Sequence, residues 1–93
     1  MIQSFKDRRT ERFFREGKCP SSWHAFMAVA TRKLDQLDAV GRLHDLRAPP
    51  GNRLEARVGD RAGQWSIRIN RQWRVCFVWS ATGAQHVEIV DYH

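Results

Sequence analysis

Residues 91–93 read Asp-Tyr-His, which sets a carboxylate, a phenol and an imidazole side by side. Groups of these types can take, orient or give a proton, so Asp91, Tyr92 and His93 are candidates for general acid and base work. That chemistry needs a substrate, and the arginines suggest its charge. Of the 16 basic residues 13 are Arg, and residues 47–78 hold seven of them against only Glu55 and Asp60. A guanidinium forks onto phosphate where an ammonium is a point charge. The formal net charge of +6 and a pI near 10.4 agree with a polyanionic partner. Glu55, Asp60 and Glu88 are available to pair with part of this positive surface.

The elements that must position these groups can be read in order. Ile2 to Phe5 alternates and predicts a short strand. Asp7 can then cap a helix that Gly17 ends. After the turn "GKCPSS", Ser22 is expected to cap a second helix, in which Trp23, Phe26, Met27, Ala30, Leu34 and Leu37 recur at spacings of three and four. Thr31, Arg32, Asp35, Gln36 and Asp38 occupy its polar side. Gly41 and the "APPGN" stretch stop helical structure, and from Arg53 the chain reads as strands: "RLEARV", "QWSIRI", "WRVCFVW" and "HVEIVDY". The prediction is an α+β fold in the order β-α-α-β-β-β-β, an antiparallel sheet with two helices packed on one face, formed by one domain over 1–93.

Alternation then assigns faces. Trp65, Ile67, Ile69, Trp73, Val75, Phe77 and Trp79 belong under the helices, which sends Ser66, Arg68, Arg74, Cys76 and Val78 to the other face. Both apolar sets share a face only if a three-residue loop, Asn70 to Gln72, joins the strands, and Arg68 then stands opposite Arg74. Like charges so opposed are destabilising, and a bound phosphate would offset that cost. Arg53, Arg57 and Arg61 add to the same surface. The last strand would bring Asp91, Tyr92 and His93 to its rim, with Tyr92 on one face and Asp91 and His93 on the other. A base for the 2′-hydroxyl, cations for an in-line phosphorane and an acid for the leaving 5′-oxygen would together cleave RNA without a metal. His24, His44, His86 and Cys19 show no ligand spacing, so no metal site is expected. Trp65 and Trp73 flank the hairpin and are the aromatics best placed to stack on a base, although core packing is the ordinary role at strand alternation. Cys19 and Cys76 read as reduced thiols. With no apolar run long enough for a membrane span, and charges throughout "MIQSFKDRRTERFF", a cytoplasmic location is expected.

The opening "MIQSF", the block "LHDLRAPPGNRLEARVGDRAGQWSIRINRQWRVCF" and the closing "VEIVDYH" resemble the HigB-like toxins of the RelE superfamily, over essentially the whole chain. The resemblance implies a compact RelE-like ribonuclease fold. It also implies metal-free cleavage of messenger RNA in the ribosomal decoding site. A HigA-like helix-turn-helix antitoxin is the implied partner, through which alone operator DNA would be reached. Carried onto this chain, the catalytic residues would be Asp91, Tyr92 and His93, with Arg74 stabilising the phosphate. Glu55 stands where some members carry a histidine, and Val58 where they carry a lysine, with Arg57 adjacent. Two alternatives accompany this expectation: a ribosome- or RNA-binding inhibitor that does not cleave, and a member of the gyrase-poisoning branch of the superfamily.

Overall fold

A computed structural model describes residues 1–91; Tyr92 and His93 lie outside the described residues. Helix α1 spans Arg8–Glu16 and is bounded as its sequence requires. Asp7 accepts a hydrogen bond from the Thr10 N–H at 3.1 Å, and Gly17, at φ 72°, takes the left-handed conformation that closes a helix at little steric cost. The expected strand at Ile2–Phe5 is reduced to a single parallel bridge, Phe5 with Val87. The physical reason is the immediate cap at Asp7, which turns the chain into α1 before a ladder can lengthen.

Ser22 does not cap the second helix. Ser21–Phe26 instead forms a 3-10 turn behind Pro20, with no side-chain cap, and α2 occupies Met27–Ala39. The tight turn stacks residues three apart, so Trp23 and Phe26 enter the core together. Ala30, Leu34 and Leu37 continue the buried stripe, whereas Met27 is 44% exposed.

Strands β1 (Glu55–Ala56), β2 (Trp65–Arg68), β3 (Trp73–Ser80) and β4 (Gly83–Asp91) form one antiparallel sheet in the order β1-β2-β3-β4. The helices cover one face, where Ile67, Ile69, Val75, Phe77, Val87 and Ile89 meet Phe13, Trp23, Phe26, Leu34, Leu37 and Leu46. β1 is far shorter than "RLEARV" because it is cut at both ends. Arg53 before it has a left-handed backbone at φ 45°, and a 3-10 turn at Gly59–Arg61 follows.

The hairpin β2–β3 has the expected register, with Arg68 opposite Arg74. Between β3 and β4 the register slips. Cys76 pairs with Glu88 but Val78 with Gln85, so β4 carries one extra residue in a bulge, where His86 sits at φ 52°. The outer edge of β4 is occupied by the N-terminal part of the chain. Gln3 N–H donates to Ala84 O at 2.7 Å, Lys6 N–H to Val87 O at 2.9 Å, and Ile89 N–H to the buried Thr10 Oγ1 at 3.2 Å. These bonds use up groups that would otherwise leave an open sheet edge.

Candidate active site

The arginine cleft is built from the turn before β1 and the β2–β3 hairpin. Its foundation is Asn52, which has no solvent exposure. The two N–H groups of the Asn52 amide reach Leu46 O at 3.0 Å, Gln36 Oε1 at 3.0 Å and Ala48 O at 3.2 Å, one hydrogen being shared, and its Oδ1 accepts from Lys33 Nζ. A buried amide so fully used fixes the turn against α2. The next residue, Arg53, is thereby held in its left-handed conformation with its carbonyl turned toward Arg74.

Arg74 is only 6% exposed, unusually low for a charged residue. Its Nε donates to Ser66 Oγ at 2.8 Å, and its Nη2 donates to Arg53 O at 2.6 Å and lies 3.3 Å from Glu55 Oε1. A buried cation held by these acceptors is a preorganised one, aimed before any ligand arrives. Above it lies a cleft of about 380 Å³ lined, among the described residues, by Arg53, Glu55, Arg68, Asn70, Arg71 and Arg74. Four guanidinium groups and one carboxylate suit a phosphodiester.

Arg53, Glu55, Arg68 and Arg74 are thus brought together as the sequence suggested. Arg57 and Arg61 are not among the residues lining the cleft. Arg61 turns to Glu88 at 3.5 Å, a carboxylate that Lys6 also approaches at 3.2 Å, so part of the charge here is offset internally. Both arginines lie near Cys76, whose thiol is pushed above the ordinary range by burial; Arg57 and Arg61 oppose that shift. Asn70 and Arg71, which sequence reasoning treated only as a loop, line the cleft. Asn70 Oδ1 accepts from the N–H groups of Gln72 and Trp73, both at 2.8 Å, and this local turn presents Arg71. The Asn-x-x sequence at the hairpin was the available signal.

Asp91 stands opposite Trp73 in the sheet and therefore on the helix-covered side, at its rim. It is not among the residues lining the cleft, and its Oδ2 accepts from Gln72 Nε2 at 3.0 Å, which ties it to the same hairpin. Tyr92 and His93 lie outside the described residues. Trp73 packs on Phe26, ring centres 5.0 Å apart, and on Trp23, so it serves the core rather than a base; Trp65 is half-buried against the same cluster.

Two helices on one face of a four-stranded antiparallel sheet form the α+β fold of a RelE-like toxin. The family described as RelE-like toxin of type II toxin-antitoxin system HigB matches residues 3–93. Toxin HigB-1 of Vibrio cholerae is 42% identical over 83 residues, 85% of this chain and 84% of that one. Endoribonuclease HigB of Proteus vulgaris is 27% identical over 93 residues, covering 100% of both chains. A solved YoeB/ParE toxin from Agrobacterium tumefaciens superposes with a TM-score of 0.52 at 21% identity, over 99% of this chain and 96% of that one, a likeness of fold. The chain belongs to the HigB-like family and is a toxin of the type II toxin–antitoxin class, which implies a cognate antitoxin.

Proposed function

We propose that this toxin is an endoribonuclease that cuts messenger RNA on the ribosome by metal-free acid–base catalysis. The observation that carries the proposal is the convergence of Arg53, Arg68, Arg71 and Arg74 on one cleft. In the proposed reaction the 2′-hydroxyl loses its proton to His93 and attacks the adjacent phosphorus, while Asp91, on the other face of the sheet from Arg74, ties the end of β4 to the hairpin through Gln72. Arg74 and Arg68 stabilise the pentavalent phosphate, Tyr92 orients or stacks on the substrate, and the 5′-oxygen leaves with a proton. The products are a cyclic 2′,3′-phosphate and a free 5′-hydroxyl. The relative from Proteus vulgaris named an endoribonuclease supports this class of reaction. The proposed setting is the cytoplasm and the ribosomal decoding site, with a HigA-like helix-turn-helix antitoxin through which operator DNA is met.

RNA end mapping on translating ribosomes tests the proposal. Wild-type protein gives discrete new 5′ ends, and Arg74→Ala and His93→Ala each reduce them by about a hundredfold or more, the usual effect of removing a group that stabilises a transition state. Unchanged cutting in both variants refutes the assignment. One observation favours a second reading, RNA occlusion without cleavage: Glu55, in the cleft and 3.3 Å from Arg74, takes the position held by a histidine in some members. Stalled ribosomes on intact message would select that reading.

A further inference from the structure

The arginine cleft does not stop at the hairpin. A neighbouring cleft of about 340 Å³ shares Arg68, Asn70 and Arg71 with it and is closed on the far side by Val29, Arg32 and Lys33 of α2. Gly51 and Ile69 complete its lining, which contains no carboxylate among the described residues. We propose that this second cleft is a subsite for the nucleotide adjoining the scissile linkage on the same RNA strand. The inference rests on the proposed function and adds where the rest of the substrate lies.

Three features distinguish it from a merely solvated basic surface. The first is continuity. Arg68 and Arg71 form the wall common to both clefts, so one chain of alternating ribose and phosphate can pass over them without leaving positive surface. The second is preorganisation. Lys33 is half-buried and anchored to Asn52 Oδ1, and Asn52 is itself held by Gln36, Leu46 and Ala48, so the ammonium is placed before a ligand binds. Burial, and then the neighbouring Arg32, lower its pKa, which is the signature of a cation that gains from an added anion. The third is a division of chemistry. Among the described residues the first cleft is lined by charged and amide side chains, which suits a phosphate, whereas the second adds Val29 and Ile69, an apolar surface for a base or ribose face. Among the described residues the α2 side offers no aromatic platform and no base-reading amide, so contact there tolerates any base.

Backbone amide NMR of the intact protein, titrated with non-cleavable 2′-O-methyl oligoribonucleotides, tests this directly. Inorganic phosphate should move only the signals of Arg53, Asn70 and Arg74. A tetranucleotide should move these together with Val29, Arg32 and Gly51. The exposed Arg32 can be replaced without disturbing Asn52, and Arg32→Ala should weaken tetranucleotide binding about three- to tenfold and lower its salt slope by about one, while leaving phosphate binding unchanged. A tetranucleotide that shifts the first set and not the second overturns the inference and leaves the proposed function standing, as does an Arg32→Ala variant of unaltered affinity and slope. Shifts in neither set count against both. An acidic peptide that moves the second set where the tetranucleotide does not would reassign the cleft to a protein partner and refute the subsite.

Discussion

Replacing the buried Asn52 by Ala should destabilise the protein without changing its charge. The two N–H groups of the side chain reach three acceptors, one hydrogen being shared, and its oxygen accepts from Lys33. Gln36 and Lys33 are near enough to solvent to recover water, so they contribute little to the loss. Ala48 O keeps the Gln36 Nε2 donor at 2.6 Å, so Leu46 O is the acceptor left short, at a cost of about 1–3 kcal/mol. For a chain of this size 1 kcal/mol moves Tm by about 4–8 °C, giving a drop on the order of 4–24 °C. Thermal and urea unfolding followed by tryptophan fluorescence provides the assay, since Trp23 is fully buried and reports core opening. The urea m-value should stay constant, because the exposed surface of the unfolded chain is the same. A Tm within about 3 °C of wild type would refute the reasoning, and would mean that water replaces the amide at no cost.

The other predictions concern Arg74 and Cys76. Ser66→Ala removes the buried acceptor at 2.8 Å from Arg74 Nε, so kcat should fall about tenfold with little change in KM, while Ser66→Thr restores most of it. An equal loss in both variants would point to packing and not to positioning. Cys76 has a pKa raised in the folded state, so it stabilises the fold fully below its unfolded value and loses that contribution as pH rises through the raised folded value. Stability should therefore decline above about pH 8.5, and Cys76→Ala should flatten that decline in urea titrations at successive pH values. Thiol labelling should find Cys19 reactive and Cys76 protected, and equal rates would contradict its complete burial.

Much of the fold was legible because parity leaves few choices. Once Trp65, Ile67, Trp73 and Val75 had to share a face, only an odd loop length satisfied both strands, and the opposition of Arg68 and Arg74 followed. Asp7 and Gly17 were equally readable, since a side-chain cap and a left-handed closing residue are local devices. Long-range partners were not. Nothing in "PPGN" shows that the Asn is the keystone beneath the cleft, because its partners come from α2 and from residues 46–48. Glu88 was among the carboxylates the sequence offered to the arginines, but that it would take Arg61, 27 positions before it, and keep it from the cleft was not readable. The 3-10 entry to α2 was hidden because a spacing of three fits both helix types at Trp23 and Phe26.

The bulge at His86 stores one spare link in the last strand. Gln85 and Glu88 are three positions apart, yet their partners Val78 and Cys76 lie two apart and on the same side of the sheet. Shortening the chain by that single residue would keep the later pairings with β3 in register at the expense of the His86 N–H bond to Ser4 Oγ at 2.9 Å, whereas losing one residue between 88 and 91 would turn the pairings that follow it over. The strand therefore takes up a change of length at His86 with the β3 pairing preserved, just upstream of the Asp91 carboxylate.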